Sequence, residues 1–279
     1  MSNFAFYNGL FSEYGSLGIP LSDRALFFGD GVYDAAVGFG GKIYRYHEHY
    51  ERLARGAKEI GLKLNYSEKE LRSILGELIS LSSLQSYFLY FQLSAVGGVR
   101  KHERKIPEDS NLLATVNPWE MPKNDGCATV TLCEDIRHGR CDIKTLNLLP
   151  PVLCASDAAM RGFDECCFLF NGFVTECAHS NIFMLKDGAL ITSPTSRRVL
   201  SGITRARIIE LAKDADIAIR VRNFTKDELL SADEVFISST SRAVTRVSKI
   251  NNTNFPVKTP FFERISTLLQ TDYASLEEN

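Results

Sequence analysis

Apolar positions in the first sixty residues follow two different periods. Residues 32–39 form an apolar run that ends at Gly40-Gly41 and is followed by a short second run, which predicts a β-hairpin over 31–46. From 47 to 60 the apolar residues recur at helical spacing, and Gly61 is placed to end that helix. This part of the chain is therefore expected to combine a sheet with helices.

The next predicted elements are one helix and two strands. Ser67 and Glu70 have the spacing of a capping box, which predicts the start of a second helix. A strand rich in aromatic and β-branched residues follows at 87–96, and another strand at 111–116.

Residues 118–126 interrupt this pattern. The stretch holds two prolines, ends in a glycine and shows little periodicity, which is typical of an ordered linker between domains. We therefore predict a small N-terminal domain at 1–117, a linker at 118–126 and a C-terminal domain at 127–279.

The C-terminal domain is predicted to contain several strands and three helices. In chain order the predicted elements are a strand at 127–135, an extended piece ending at Lys144, a helix from about 147 to 160, a hairpin at 165–176 around Asn171-Gly172, a second hairpin at 182–192, a helix opened by Ser201-Gly202-Ile203-Thr204, a shorter helix capped by Thr225 and Glu228, and a strand at 235–239. Because strands are grouped rather than strictly alternating with helices, the predicted class is α+β in two domains.

Composition and charge exclude several classes of protein and partner. The 279 residues are 44% hydrophobic and 24% charged, which indicates an ordinary globular protein. Lys and Arg number 32 against 34 Asp and Glu, and no basic run is present, so a nucleic-acid partner is not expected. The N-terminus lacks the pattern of a signal peptide and no apolar stretch approaches membrane-spanning length, so we expect a cytoplasmic protein without a membrane partner.

Seven cysteines are present, and none forms a CxxC motif. Cys127, Cys133, Cys166 and Cys167 lie in apolar, strand-like runs, and we interpret them as small buried hydrophobic residues kept reduced. The histidines lack the spacing of metal ligands, so no metal is expected.

Lys144 and Glu176 are candidates for chemistry. Lys144 precedes an apolar stretch, where a desolvated amine could form an imine. Glu176 ends a predicted hairpin, where a carboxylate facing a pocket could hold a pyridine nitrogen protonated. On these residues alone, a lysine that reaches solvent and an exposed hairpin-end glutamate are the simpler explanations.

Two further groups could bind anions. Ser201-Gly202-Ile203-Thr204-Arg205 opens a helix and could bind phosphate, with hydroxyls from Ser238 to Ser241 and a cation from Arg52, although simple capping explains the helix start equally well. Arg100 and His102 would lie on the same side of an extended backbone and could hold a carboxylate, although a solvated basic loop is an equal alternative.

Seven segments, in order through almost the whole chain, resemble the fold type IV pyridoxal-phosphate (PLP) enzymes. This family includes branched-chain aminotransferases, D-amino-acid aminotransferases and aminodeoxychorismate lyase, and the D-amino-acid group is the most similar. The segments are FGDGVYD, HEHYERL, RKHERKIPE, EDIRHGRCDIKTLNLLPPVL, VTECAHSNIF, LSGITR and FISSTS.

The resemblance implies a smaller N-terminal α/β domain and a larger C-terminal domain with a β-barrel-like core. It implies PLP as cofactor, Lys144 as the catalytic lysine and Glu176 as the partner of the pyridine nitrogen. The remaining implied roles are phosphate binding by Arg52, Ile203, Thr204, Ser239 and Thr240, packing of Leu200 on the cofactor ring, and binding of the substrate carboxylate by Tyr33, Arg100 and His102.

The implied reaction is transamination between a D-amino acid, such as D-alanine, and a 2-oxo acid, by a homodimer. Two segments depart from the D-amino-acid group: Cys177-Ala178-His179 replaces a small Gly/Ser-rich bend, and His138-Gly139 replaces a bulkier apolar pair. The substrate range therefore stays open. Aminodeoxychorismate lyase, a branched-chain or (R)-amine aminotransferase, and a non-catalytic binding protein remain as alternatives.

Overall fold

The computed structural model of the protein describes residues 3–122 and 126–278. These residues form two compact units. The first contains the chain up to Glu120, the short segment Ile143–Asn147 and the chain end from Leu276. The second contains Met121–Asp142 and Leu148–Ser275. Residues 123–125 of the predicted linker lie outside the described residues.

The first unit is built on a six-stranded sheet in the order β2-β1-β6-β5-β3-β4, in which every neighbouring pair is antiparallel. Its strands are β1 (Phe4–Tyr7), β2 (Leu10–Glu13), β3 (Gly31–Phe39), β4 (Lys42–Ile43), β5 (Ser86–Ala95) and β6 (Ser110–Pro118). Its helices are α1 (Ala25–Phe28), α2 (Tyr46–Glu59) and α3 (Glu68–Ser82), with a 3-10 turn at Tyr14–Ser16.

Periodicity explains the core of this unit. Alternate residues of β5, from Tyr87 through Leu93, are fully buried, as expected for a strand with one covered face. In α3 the buried leucines Leu71, Leu75 and Leu78 recur at helical spacing and join the same core. The predicted capping box is confirmed, because Ser67 Oγ accepts from the backbone of Glu70 while the Glu70 carboxylate accepts from the backbone of Ser67.

The second unit is built on a nine-stranded sheet, in which eight strands follow the order β12-β11-β10-β13-β14-β7-β8-β9 and β15 pairs with β14. Its strands are β7 (Cys127–Glu134), β8 (Glu165–Phe170), β9 (Phe173–Cys177), β10 (Asn181–Lys186), β11 (Ala189–Thr192), β12 (Ile219–Val221), β13 (Glu234–Ser239), β14 (Ala243–Ile250) and β15 (Thr253–Asn254). Its helices are α4 (Leu149–Met160), α5 (Ile203–Asp214), α6 (Lys226–Leu230) and α7 (Pro260–Glu278), the last of which ends in the first unit.

The mixed α+β class is confirmed, and the hairpin of β8 and β9 turns at Asn171-Gly172 as predicted. Helix α4 starts two residues later than predicted, because Leu148 is its N-cap and the two prolines occupy its first turn. No helix within 3–122 and 126–278 is long and apolar enough to cross a membrane.

Two expectations for this half of the chain need correction. Cys127 is exposed and Cys133 half-buried rather than buried. Cys127 opens β7 before the first core residue, Ala128, and Cys133 packs only at the edge of a small cluster around Cys166 and Phe168. All seven cysteines are free thiols. The predicted C-terminal domain also included Lys144, whereas Ile143–Asn147 packs with the first unit.

Candidate active site

Lys144 is held by the backbone of β3. The Tyr33 N–H donates to the Lys144 carbonyl at 2.9 Å, and the Leu146 N–H donates to the Gly31 carbonyl at 3.0 Å. Ile143 enters the hydrophobic core of the first unit. These contacts fix the main chain on both sides of Lys144, and they are the reason why this segment leaves the second unit.

The side chain of Lys144 lies against Tyr33. Its Nζ is 4.3 Å from the centroid of the Tyr33 ring, which in turn stacks on Tyr90 at 5.4 Å. Lys144 and Tyr33 are both half-buried. The structure therefore brings the predicted catalytic lysine together with one of the three predicted carboxylate-binding residues.

Arg52 belongs to a buried polar cluster. Its Nε and Nη2 each donate to a different oxygen of Asp34 at 2.8 Å, and His49 Nδ1 lies 2.7 Å from Asp34 Oδ1. All three residues are buried. Burial alone would raise the pKa of Asp34, but Arg52 and His49 hold it well below its usual value.

Burial favours the neutral form of His49 in this cluster. Burial lowers its pKa, and the opposing effect of the Asp34 carboxylate does not restore it; the nearby charges of Arg52 and Lys144 also favour the neutral ring. Sequence reasoning did not single out Asp34 or His49. The available signals were a carboxylate inside the apolar run 32–39 and a spacing of three between His49 and Arg52, which places both on one helix face.

Arg100 and His102 lie in the loop between β5 and β6, and both side chains contact Phe28. The Arg100 guanidinium is 5.0 Å from the centroid of the Phe28 ring, and the His102 ring is 5.3 Å from it. Buried Arg24 fixes the loop by donating to the carbonyls of Lys101 at 2.6 Å and His102 at 2.9 Å. Of the predicted carboxylate-binding residues, Arg100 and His102 thus lie together beside Phe28, and Tyr33 lies beside Lys144.

Glu176 is only 6% exposed, so the simpler explanation of an exposed hairpin-end glutamate is wrong. Its Oε1 accepts from Arg137 Nη1, and its Oε2 accepts from Asn181 Nδ2 at 3.1 Å and from the Leu200 N–H at 3.0 Å. Leu200 is therefore attached by its backbone to the predicted acid. Burial alone would lower the pKa of Arg137, but the hydrogen bond to Asp135 and the charge of Glu176 raise it above its usual value.

The N-terminus of α5 has the features of an anion site. Its N-cap is Gly202, which has no side chain to cap the first turn. A Cβ at Gly202 would lie 2.0 Å from Asn181 Oδ1, so a larger residue there would displace the Asn181 side chain, which donates to Glu176. Ser238, which pairs with Asn181 across β10 and β13, is 1% exposed, and its Oγ has no hydrogen-bond partner among the described residues.

The other residues predicted for phosphate binding lie nearby in the chain. Ile203 and Thr204 are buried in the first turn of α5. Ser239 ends β13, and its Oγ accepts from the Arg242 N–H at 3.2 Å, while Thr240 is half-buried in the following turn. An uncapped helix start and an orphaned buried hydroxyl are groups that a phosphate would satisfy.

His179, one of the departures noted above, pairs with a buried carboxylate. Its Nδ1 lies 3.1 Å from Glu165 Oε2, which also accepts from Ser180 Oγ at 3.0 Å. Burial raises the pKa of Glu165 to about 7. Within the described residues, no group of three or more His, Cys, Asp or Glu side chains could hold a metal ion.

The family model for amino-transferase class IV matches residues 31–250. The chain belongs to the class IV aminotransferases. The predicted family is thereby confirmed. The chain is 38% identical over 250 residues to the D-alanine aminotransferase of Staphylococcus haemolyticus, covering 88% of each sequence.

Solved class IV structures share the fold. The branched-chain aminotransferase of Thermoproteus uzoniensis matches with a TM-score of 0.90 at 22% identity, covering 100% of this chain and 97% of that one. A putative 4-amino-4-deoxychorismate lyase of Legionella pneumophila matches with a TM-score of 0.86 at 23% identity, covering 93% and 97%. At such identities the likeness concerns the fold alone, and reactions of different kinds use it.

Proposed function

We propose that this class IV aminotransferase transfers the amino group between a D-amino acid, such as D-alanine, and a 2-oxo acid, such as 2-oxoglutarate or pyruvate, with PLP as cofactor. The observation that carries the proposal is the fixed position of Lys144 on β3 with its amine 4.3 Å from the Tyr33 ring. The D-alanine aminotransferase relatives, 38% identical over 88% of the chain, support the choice of substrate.

The residues present fit PLP. The uncapped start of α5, with Ile203 and Thr204, offers backbone N–H groups to the phosphate, and the orphaned Ser238 hydroxyl is suited to join them. Ser239 and Thr240 are proposed to add hydroxyl donors. The charge of Arg52 is already balanced by Asp34, so we expect neutral donors to provide most of the phosphate affinity.

When bound, PLP supplies an aldehyde that reacts with amines and a ring that takes up negative charge. Lys144 would condense with that aldehyde with loss of water. Once a substrate amine has displaced it, its free amine would take the proton from the substrate Cα atom and pass it to the former aldehyde carbon, and would carry it back in the reverse half-reaction. Glu176, held as an acceptor by three donors, is proposed to keep the proton on the ring nitrogen, with Leu200 packing against the ring.

Tyr33, Arg100 and His102 are proposed to bind the substrate carboxylate. The Tyr33 side chain lies beside Lys144, so a carboxylate bound to its hydroxyl would keep Cα near the lysine amine. Arg100 supplies a planar, permanently charged fork suited to a carboxylate. By family, we also propose a homodimer and a connection between the domains at 118–126.

Two measurements test this proposal. Purified protein is supplied with a panel of D- and L-amino acids and 2-oxoglutarate, alongside aminodeoxychorismate, and the products are identified by mass spectrometry. In parallel, borohydride reduction followed by peptide mapping asks whether the cofactor becomes attached to Lys144, with Lys144→Ala as control.

We expect turnover of D-alanine and labelling of Lys144. Turnover confined to branched L-amino acids, or release of pyruvate from aminodeoxychorismate, would replace the substrate assignment while leaving the cofactor intact. Absence of label at Lys144 would instead indicate a non-catalytic binding protein. Light scattering of the purified protein determines whether it is a dimer.

A further inference from the structure

Arg137 occupies the space between two buried carboxylates. It follows the end of β7, and its Nε and Nη2 donate to the two oxygens of Asp135, each at 2.9 Å. The remaining terminal nitrogen, Nη1, donates to Glu176 Oε1. The guanidinium also stacks on Phe168, with its Cζ 4.4 Å from the ring centroid. Asp135 thus fixes the guanidinium of Arg137, which donates its remaining terminal nitrogen to Glu176.

Asp135 is what fixes the direction of this contact. Two parallel hydrogen bonds between a guanidinium and a carboxylate determine the plane of the guanidinium, which a single bond does not. The Asp135 side chain is fully buried, and Arg198 Nη1 lies 3.9 Å from it as a second cation. A further bond from Arg137 Nη2 to the Arg198 carbonyl at 2.9 Å holds the same plane.

Glu176 depends on a cation at this position. A carboxylate as buried as Glu176 is costly to keep ionised unless a charge is paired with it. Asn181 and the Leu200 N–H, which serve its other oxygen, are neutral donors. Buried Arg205 is a second cation whose charge interacts with that of Glu176, but Arg137 donates to the carboxylate directly. The Arg137 bond therefore helps to compensate the charge that Glu176 needs to hold a proton on a ring nitrogen.

We propose that Arg137 is a positioning residue that keeps Glu176 ionised and directed at the cofactor, with Asp135 as its anchor. This inference rests on the proposed function for the meaning of Glu176, while the coupling of Arg137 to Glu176 belongs to the second unit alone. A purely structural role is the alternative, because Arg137 also ties the end of β7 to the backbone at Arg198.

The test follows the titration of Glu176 itself. Full-length protein labelled with carbon-13 at the glutamate side-chain carboxyl is titrated by NMR, and the Glu176 signal is assigned by its loss in Glu176→Gln. In Arg137→Gln we expect the titration midpoint of Glu176 to rise by at least one pH unit relative to the parent protein. Arg137→Lys, which keeps the charge and loses the fork, is expected to give a smaller rise.

A double variant and a matched control separate the effect of Arg137 on Glu176 from a general loss of folding. Because Arg137→Gln also leaves Asp135 without its partner, the double variant Asp135→Asn/Arg137→Gln removes both charges of that pair and is expected to raise the midpoint equally. Arg161→Gln is the matched control, since Arg161 likewise pairs with an aspartate and stacks on a phenylalanine but is exposed at the C-cap of α4. It should leave the midpoint unchanged.

Turnover gives a second readout. In Arg137→Gln the acid limb of the pH profile for D-alanine turnover should move to higher pH, with kcat lowered at least tenfold at neutral pH and KM changed less. An unmoved Glu176 midpoint in folded Arg137 variants would overturn the proposal. If Lys144 in the parent protein took no cofactor label, the proposed function would fail, yet the titration would still decide the coupling.

Discussion

Nδ1 of His49 lies 2.7 Å from Oδ1 of Asp34, and both side chains are buried. With the two bonds from Arg52, this carboxylate accepts from three side-chain nitrogens of one helix. The sheet strand β3 and helix α2 are therefore joined by a charged contact inside an otherwise apolar core.

Replacing Asp34 with asparagine should destabilise the protein strongly. The change removes the buried carboxylate charge that accepts two bonds from Arg52, and removal of one partner from a buried pair costs about 3–5 kcal/mol. Urea unfolding measures the loss. Asp109→Asn, which breaks an exposed pair with Lys63, should cost under about 1 kcal/mol. Equal losses in the two variants would contradict the role of Asp34.

Glu165 should make stability fall as pH rises. Its pKa is raised by burial to about 7, so the folded state binds this proton more tightly than the unfolded state does. The resulting stability is fully present below the unfolded pKa, about 4.3, and is lost as pH rises to about 7. His179 and Arg242 are the charged or titratable neighbours that modulate this loss.

Glu165→Gln removes that titration. Urea unfolding measures the free energy of unfolding of both proteins at pH 5 and at pH 8. Between these pH values the free energy of the parent protein should fall by about 1–3 kcal/mol more than that of the variant. Exposed Glu77 on α3 supplies the control, and Glu77→Gln should show no such difference between the two pH values. A parent protein with the same pH slope as Glu165→Gln would show that Glu165 is already ionised at pH 5.

Arg100→Ala should weaken substrate binding without affecting the cofactor. Loss of a charge-assisted hydrogen bond, worth about 1.5–3 kcal/mol, is expected to raise KM for D-alanine about 10- to 100-fold. Labelling of Lys144 by borohydride should persist. In Lys101→Ala KM should stay near the parent value, because Arg24 uses the backbone carbonyl of Lys101 and not its side chain. D-Alanine turnover that survives Arg100→Ala unchanged would favour a reaction without this carboxylate contact.

Gly31→Ala should disturb the support of Lys144. A Cβ at Gly31 would lie 2.4 Å from the Leu93 carbonyl oxygen and 2.7 Å from Leu146 Cδ1. The carbonyl belongs to the neighbouring strand and cannot move aside cheaply, so we expect a loss of about 1–3 kcal/mol and reduced labelling of Lys144. Gly76→Ala is the control.

Gly76 lies inside α3, and a Cβ there would meet no atom within 4 Å. Alanine at this position should stabilise the helix by about 0.5–1 kcal/mol and leave labelling unchanged. The same substitution is thus expected to act in opposite directions at the two glycines. A Gly31→Ala protein as stable as the parent and fully labelled would show that β5 adjusts to the added methyl group.

Local signals in the sequence predicted local structure well. The capping boxes at Ser67 and Thr225 and the turn at Asn171-Gly172 depend on neighbours three residues apart or fewer, and the structure confirms all three. Helix α7 was not predicted, although Phe262, Ile265, Leu269 and Tyr273 recur at helical spacing and are buried.

Residues that depend on distant partners were harder to find. Asp34 meets Arg52 only after β3 and α2 have packed, and Arg137 and Glu176 are separated in the chain by α4 and β8. The carboxylate inside the apolar run 32–39 marks Asp34 as unusual, but no periodicity or short motif shows which residue pairs with it, or that Arg137 pairs with Glu176. The candidates Lys144, Glu176 and Tyr33 were found through their surrounding motifs, and their proposed roles await the experiments above.

The chain passes from the first unit to the second and back more than once, so the protein cannot be cut into its two units at a single position. A C-terminal fragment beginning at 127 would carry Lys144 but none of the β3 backbone that binds it, and an N-terminal fragment ending at 117 would lack Ile143 from its core. Lys42 also donates to the carbonyl of Leu276. During synthesis, the first unit therefore acquires these contacts only after Leu276 has left the ribosome, and exchange of one unit between relatives would require several junctions rather than one.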